Sequence, residues 1–216
     1  MNLKRPLVRI VAPLFLFFFA LSSVIPPPSY AMTLQEEREL GEKVLQEVSR
    51  VWPIIRTPEI NDYVTRIGKR ILSTMEPQPF QYQFYVLNTP EINAFAVPGG
   101  KVFVNSGLIL QVDNEDELAG VMAHEIGHVT SRHIARQSEQ GMKLGLAALG
   151  AMLAGIFLGP QAAAAIGITS QAAAGTVMLK YSRENEEESD YVGLKYMENA
   201  GYDRNAMITM LKKLRR

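Results

Sequence analysis

The sequence contains no cysteine among its 216 residues. This absence excludes disulfide bonds, a cysteine nucleophile and metal sites built from thiolates. There is also no excess of charge, because 22 basic residues balance 22 acidic residues, and a basic nucleic-acid-binding surface is therefore not expected. Histidine is scarce, with three residues in the chain, so an imidazole metal site must draw on these three.

The composition that remains is that of a globular protein. Hydrophobic residues make up 47% of the chain and charged residues 20%, which is typical of a domain with a core. The length fits one domain of ordinary size. No internal repeat is visible.

Residues 1–31 have the order of a secretory signal peptide. Three basic residues precede an apolar segment, and Ser29 and Ala31 occupy the small-residue positions of a cleavage site. We therefore expect cleavage after Ala31 and a mature domain over residues 32–216, outside the cytoplasm. An uncleaved anchor with the same orientation is the alternative interpretation of the apolar segment, which is short for a span of about 20 residues.

The spacing of apolar residues predicts an α+β domain that is mainly helical and contains a small sheet. Alternation over residues 80–87 predicts a strand, and residues 93–107 indicate two short strands joined as a hairpin at a Pro-Gly-Gly turn. Helices are expected over 33–52, 57–75, 113–137, 182–201 and 204–216.

Residues 144–179 contain no charged side chain. Gly159 and Pro160 divide this segment into two halves that are rich in alanine and glycine. We favour a buried helical hairpin, because each half is short and weakly apolar for a membrane span. Peripheral contact with a membrane, or two short spans packed through small residues, is the alternative.

The segment VMAHEIGHVT places two histidines and a glutamate on one turn of a predicted helix. His124 and His128 would project within about 40° of each other, so both imidazoles can bind one zinc ion. Glu125 would lie beside the metal, where its carboxylate can take a proton from an activated water. The remaining histidine, His133, would project about 180° from His124 on the same helix, and therefore away from the metal.

A third protein ligand must then be a carboxylate. Glu186 and Asp190 stand four residues apart, so they share one face of the next predicted helix. We predict that Glu186 completes a site for one Zn²⁺ per chain, and that Asp190 accepts a hydrogen bond from a ligand histidine and fixes its tautomer. The neighbouring acidic residues are expected on a solvated helix surface: Glu184, Glu187 and Glu188.

Substrate could bind along the predicted hairpin. An exposed edge strand can pair with an extended peptide, and Asn93 and Ala94 are our candidates for this contact. Core packing is the alternative for Ala94, because edge status cannot be read from sequence. The group that stabilises the transition state is not assigned, although Tyr181 and Arg183 lie near the site in sequence.

Three segments, taken in order, resemble one family of enzymes: NAFAVPGGKVFV, DELAGVMAHEIGHVTSRH and SRENEEESDYVG. They are similar to the gluzincin zinc metallopeptidases, the family of the periplasmic beta-barrel assembly-enhancing, heat-shock membrane and CAAX prenyl proteases. The resemblance covers the chain from about Leu34 onward, and with the predicted signal peptide it is strongest to the periplasmic branch.

The resemblance implies a zincin-type fold with an active-site helix and zinc-dependent endopeptidase activity. It also implies His124, His128 and Glu186 as metal ligands, Glu125 as catalytic base and Asp190 as their support. Protein or peptide substrates in the periplasm follow from it, with a role in the quality control of misfolded or unassembled envelope proteins. Members of this branch usually continue beyond such a domain, so a truncated C-terminus is one expectation. A chaperone-like module that binds without cleaving is the alternative function.

Overall fold

The computed structural model describes residues 32–139 and 181–214, which belong to one compact unit. The helices are α1 Leu34–Val51, α2 Pro58–Leu72, α3 Ser106–Gln111, α4 Glu115–Thr130, α5 His133–Glu139, α6 Arg183–Asn199 and α7 Arg204–Leu214. The strands are β1 Ile54–Ile55, β2 Gln83–Leu87, β3 Ala94–Val97 and β4 Lys101–Asn105. The predicted α+β class, mainly helical with a small sheet, is confirmed. The predicted signal peptide and the charge-free segment 144–179 lie outside the described residues.

The four strands form one mixed sheet in the order β1-β2-β4-β3. Strands β2 and β4 are parallel, whereas β1 pairs with β2 and β3 pairs with β4 in antiparallel fashion. The hairpin β3–β4 has the predicted turn, in which Gly99 and Gly100 adopt φ angles of 81° and 83°. These angles lie in the left-handed region that glycine enters without steric cost. Because β3 is the last strand in this order, it is an edge of the sheet among the described strands.

Both faces of the hairpin are buried. Side chains of Ala94, Ala96 and Val102 join one core with helices α2 and α4, whereas Phe95 and Phe103 join a second core with α1. This division follows from the alternation of side chains along a strand. Since every residue of β3 and β4 is buried, the hairpin is fixed between layers of helix and can serve as a rigid support.

Helix α1 begins as its sequence predicts. The Thr33 hydroxyl accepts a hydrogen bond from the Glu36 backbone N–H, and the Glu36 carboxylate accepts one from the Thr33 N–H at 2.8 Å. This capping box satisfies backbone donors that have no partner within the helix. The apolar stripe Leu40, Val44 and Val48 is fully buried against the sheet.

The start of the second strand and two short elements differ from the sequence prediction. Strand β2 begins at Gln83 rather than at residue 80, although the Phe80 ring is still buried in the core. Burial alone produced the alternating pattern there, because a buried side chain on a loop has the same hydrophobic signature as one on a strand. Two short elements, β1 and α3, carried no clear signal and were not predicted.

The predicted helix 113–137 is interrupted. Helix α4 ends at Thr130, and Arg132 adopts a φ angle of 52° before α5 begins at His133. The Arg132 guanidinium donates to the buried carboxylate of Glu37 at 2.7 Å and to the Met32 carbonyl at 2.6 Å. These contacts come from the start of the chain, about a hundred residues away, and hold a backbone conformation that non-glycine residues rarely adopt.

Helix α4 is the centre of the helical layer and packs against α6 and α7. Glycines allow these helices to approach closely. A Cβ atom at Gly120 would lie 2.6 Å from the Met207 Cα of α7, and one at Gly127 would lie 3.2 Å from the Ser189 carbonyl oxygen of α6. Alanine at Gly120 would overlap the backbone of α7, whereas alanine at Gly127 would press on the α6 backbone and on a Val192 methyl group 2.8 Å away.

Within the residues that the structure describes, no helix combines the length and apolarity that crossing a membrane requires.

Replacing Gly120 with alanine should destabilise the fold, against the usual preference of helices for alanine. On an exposed helix this change stabilises by roughly 0.5–1 kcal/mol. Here the new methyl group would overlap the α7 backbone, and we expect a loss of about 1–3 kcal/mol in the free energy of unfolding. Denaturant titration of Gly120→Ala measures this, with Lys195→Ala, on the exposed side of α6, as control. A more stable Gly120→Ala variant would contradict the packing described here.

A candidate metal centre between two helices

The structure brings two histidines of α4 and one glutamate of α6 to a single point. His124 Nε2 lies 3.0 Å from His128 Nε2 and 3.4 Å from a carboxylate oxygen of Glu186, whose other oxygen lies 3.8 Å from His128 Nε2. One ligand atom from each of the three residues lies within 4.8 Å of the others. Both histidines are buried, whereas the Glu186 side chain is 38% exposed.

These separations suit a tetrahedral metal ion. With metal–ligand bonds of 2.0–2.1 Å, two ligand atoms of a tetrahedral zinc site lie about 3.3 Å apart. Two imidazole nitrogens and a carboxylate oxygen are ligands that zinc takes, and three protein ligands leave a fourth position open. The donor set therefore fits a catalytic zinc ion in both chemistry and spacing.

Negative charge surrounds His124. Its Nδ1 atom lies 2.9 Å from a carboxylate oxygen of Asp190, on the opposite side of the ring from Glu186. Burial alone would lower the pKa of His124, but the carboxylates of Asp190, Glu186 and Glu125 outweigh it and raise the pKa to about 10. The pocket thus strongly favours a positive charge at this point, as a cation site requires.

Glu125 lies beside the histidines and contacts the edge strand. One of its carboxylate oxygens accepts a hydrogen bond of 3.1 Å from the Ala96 backbone N–H of β3. Burial, with a smaller contribution from the negative charge of Glu186, raises the pKa of Glu125 to about 7, although His124 and the Ala96 N–H act in the opposite direction. A carboxylate with a pKa near neutrality can both accept and release a proton at physiological pH.

His128 is held between two rings. Tyr181 stacks on its imidazole with ring centroids 3.6 Å apart, and the Tyr181 hydroxyl donates to the Ala96 carbonyl at 3.5 Å. Burial, and then the neighbouring His124 and His133, lower the pKa of His128 to about 2, so its imidazole is neutral, as a metal ligand must be. Tyr181 therefore lines the centre and connects it to β3.

His133 is not one of the three grouped ligand residues, as predicted, but its predicted place on the opposite face of one continuous helix was wrong. Its Nδ1 lies 2.8 Å from His128 Nδ1, on the side of that ring opposite the predicted metal position. The prediction assumed one continuous helix, but the left-handed turn at Arg132 redirects α5 and folds His133 back toward α4. His133 itself lies outside the group of three ligand atoms.

Glu188 lies on the helix surface, as predicted, but it also contacts the buried His133, which was not foreseen. Its carboxylate lies 3.2 Å from His133 Nε2 and 2.7 Å from the Arg136 guanidinium, and the side chain is 41% exposed. Arg136 is the main cause that lowers the pKa of Glu188 to about 2. Glu187, by contrast, is 66% exposed and pairs with Arg183, which is itself 88% exposed and so belongs to the surface.

A cavity of about 250 Å³ opens over the centre. Ala94 at the start of β3 and the preceding Asn93 line it together with the three candidate ligand residues, while Val121, Leu211 and Leu214 form an apolar wall. The Asn93 carbonyl accepts from Asn105 N–H in β4. Since bonded and non-bonded pairs alternate in an antiparallel ladder, the backbone groups of Ala94 point toward the outer edge instead.

Sequence reasoning missed the parts of the site that depend on distant segments. Tyr181 was considered only as a neighbour in sequence, and the contact of Ala96 with Glu125 was not foreseen. Neither has a local signal, because the first depends on how the chain returns to α4 and the second on which residue of an edge strand faces that helix.

Comparisons with known proteins agree with this geometry. Residues 58–216 match the model of peptidase family M48. The beta-barrel assembly-enhancing protease of Escherichia coli (strain K12) is 34% identical over 187 residues, which is 85% of this chain and 38% of that protein. The mitochondrial metalloendopeptidase OMA1 of Schizosaccharomyces pombe is 31% identical over 190 residues, which is 85% of this chain and 53% of that protein.

This chain therefore spans between about two fifths and one half of the length of these two relatives. Because the family match covers most of the chain, including α4 and α6, the predicted family and the predicted enzyme class are confirmed. The chain belongs to peptidase family M48 and is a metallopeptidase of that family.

Proposed function

We propose that this domain is a zinc-dependent endopeptidase that cleaves unfolded or unassembled proteins outside the cytoplasm. The observation that supports it most is the convergence of His124, His128 and Glu186 next to a buried carboxylate, at the bottom of a cavity bordered by an edge strand. This arrangement would bring a metal site, a base and a place for an extended chain together in one pocket.

His124, His128 and Glu186 would hold one zinc ion. A zinc ion in such a site supplies Lewis acidity, which polarises a carbonyl group and lowers the pKa of water to about 7. Asp190 lies 2.9 Å from His124 Nδ1 and would accept a hydrogen bond from the Nδ1–H of His124. The Nε2 lone pair of His124 would then be directed into the site.

Glu125 would act as the base. Its carboxylate takes the proton of the attacking water and later delivers it to the amine that leaves when the peptide bond breaks. The Ala96 N–H donates to one carboxylate oxygen at 3.1 Å, which orients the side chain and leaves its other oxygen to receive the proton. Because Ala96 belongs to the same strand that would bind substrate, base and substrate share one rigid support.

The outer edge of β3 would align the substrate. The backbone N–H and C=O of Ala94 are directed away from β4, so an extended peptide could add to the sheet there as a further strand. Asn93 would contribute through its side chain, since its carbonyl is bonded within the hairpin. Main-chain pairing of this kind selects for extended rather than folded substrates, which suits a protease of unfolded chains.

We base the proposed location in the cell on the N-terminal segment. The predicted signal peptide over residues 1–31 supports export to the periplasm, where substrates would be envelope proteins. One relative is named for enhancing beta-barrel assembly, and it is a longer protein than this chain. Peripheral membrane contact through residues 144–179 remains part of the proposal.

Replacing Glu125 with glutamine should abolish cleavage and leave metal binding intact. The amide keeps the shape of the side chain but cannot take a proton, so we expect the rate of casein cleavage to fall by roughly 10²–10⁴-fold. Zinc per chain, measured by atomic emission, should stay at one in both proteins. Glu187→Gln, an exposed change of the same chemistry, is the matched control and should cleave normally.

The same measurement of casein cleavage and zinc per chain distinguishes a peptidase from a module that binds without cleaving. Cleavage by Glu125→Gln at the wild-type rate would contradict the assignment of the base. Stoichiometric zinc with no cleavage by the wild type would favour the chaperone-like binding module instead.

Ala94→Pro should weaken substrate binding without affecting the metal. Proline removes the N–H that faces the outer edge, and one lost hydrogen bond of about 0.5–1.5 kcal/mol corresponds to a roughly three- to tenfold rise in KM. Ala94→Ser keeps the N–H and is the control. Steady-state cleavage of an unstructured peptide, together with zinc per chain, checks this; an unchanged KM for Ala94→Pro would show that substrate does not pair with β3 at this residue.

A further inference from the structure

We infer that His133 is a positioning residue for the metal centre. Its Nδ1 would accept a hydrogen bond from the Nδ1–H of His128, and its Nε2–H would donate one to Glu188. These two bonds would fix the tautomer and ring orientation of His128. The inference rests on the proposed zinc site, and it assigns a role to a histidine that contributes no atom to that site.

The distances define a continuous path. His128 Nδ1 and His133 Nδ1 are 2.8 Å apart, His133 Nε2 and a Glu188 oxygen are 3.2 Å apart, and the same oxygen lies 2.7 Å from the Arg136 guanidinium. The His133 side chain is completely buried, and that of His128 is 2% exposed. Water therefore has little access to the nitrogen atoms between the two rings.

The direction of each hydrogen bond follows from the metal position. His128 Nε2 faces His124 and Glu186, so a metal ion bound there takes the Nε2 lone pair. The proton of a neutral His128 must then be on Nδ1. His133 Nδ1 must then accept the hydrogen bond from the His128 Nδ1–H. A neutral His133 consequently carries its own proton on Nε2, which faces the Glu188 carboxylate.

The outer end of the path is held by charge. The Glu188 carboxylate would accept a hydrogen bond from the His133 Nε2–H, and it pairs with Arg136 of α5, one turn after His133. The Ser189 hydroxyl lies 3.5 Å from His133 Nδ1 and is also fully buried, so it borders the same contact. The two bonded ends leave the His133 ring a single orientation.

The interruption of the helix at Arg132 is what brings His133 into contact with His128. In an uninterrupted helix, His133 would be about 140° around the axis from His128, and the rings could not meet. The left-handed turn at Arg132, held by Glu37 and by the Met32 carbonyl, directs His133 back onto His128. Packing of His133 alone does not explain a break that is held by the half-exposed Arg132 and the buried carboxylate of Glu37 in α1.

The two ligand histidines would thus be supported in different ways. His124 is supported directly by a carboxylate, Asp190, at 2.9 Å. His128 is supported through a neutral imidazole, with the carboxylate one residue further out at Glu188. Outer partners of metal ligands typically change metal affinity by about 10–100-fold, and both should do so here.

Zinc affinity of the full protein, measured by competition with a chromophoric chelator, tests the role of His133. We expect His133→Phe, which keeps a ring but has no acceptor, to bind zinc roughly 10–100-fold more weakly than wild type. His133→Asn should recover part of the loss, because its amide oxygen can replace Nδ1 as the acceptor. Glu188→Gln should weaken binding, whereas Glu187→Gln, on the exposed side of the same helix, should not.

The tautomers are read directly in the wild-type protein. Long-range ¹H–¹⁵N NMR spectra of the zinc-loaded protein should show His128 protonated at Nδ1 and His133 at Nε2. This measurement needs no variant, so it decides the matter even if His133→Phe does not fold. A purely structural histidine would not be constrained to this pair of tautomers.

The outcomes are distinguishable from those of the proposed function. Unchanged affinity in a folded His133→Phe, or His133 protonated at Nδ1, would overturn the role of His133 and leave the peptidase proposal standing. A wild-type protein that binds no zinc would overturn both. Normal cleavage by Glu125→Gln would overturn the assignment of the base alone.

Discussion

The close approach of α6 to α4 is the constraint on which the site depends. Helix α4 carries His124 and His128, and helix α6 carries the Glu186 carboxylate, so neither helix can form the centre without the other. Two glycines set the distance between them: a Cβ at Gly193 would lie 3.2 Å from the His124 backbone nitrogen, and one at Gly127 would lie 2.8 Å from a Val192 methyl group. Larger residues would separate the helices and the ligand atoms with them.

Once the helices are this close, the helical period determines which side chains of α6 contact His124. Residues four apart lie on one face of a helix, so Glu186 and Asp190 contact His124 from two sides of its ring. The concentration of carboxylates around buried imidazoles would be unfavourable in most cores, because burying charge is costly unless it is compensated. A bound cation offers that compensation, which is consistent with the high pKa of His124.

The sheet holds the edge strand against Glu125, the proposed base. Its hairpin is packed on both faces, and β3 presents the Ala96 N–H to Glu125 and its outer edge to the cavity. Rigidity in this strand matters because a catalytic base must be held within about 0.5 Å of its productive position.

Much of this was visible in the sequence, and what was visible was local. The capping box at Thr33, the hairpin glycines and the spacing of His124 and His128 are each encoded within a few residues. The end of α4 was not, because the turn at Arg132 is stabilised by Glu37 and Met32, which are distant in sequence. The place of His133 was mispredicted for that reason alone. The contact of His133 with Glu188, which lies on the surface as predicted, was missed with it.

The most direct test of the account is X-ray absorption at the zinc edge on the purified protein, with metal counted per chain. We predict one zinc ion bound by two imidazole nitrogens and oxygen ligands, at about 2.0–2.1 Å, in a coordination shell of low number. A six-coordinate shell of oxygen alone, or a chain that retains no zinc, would contradict a centre built from His124, His128 and Glu186.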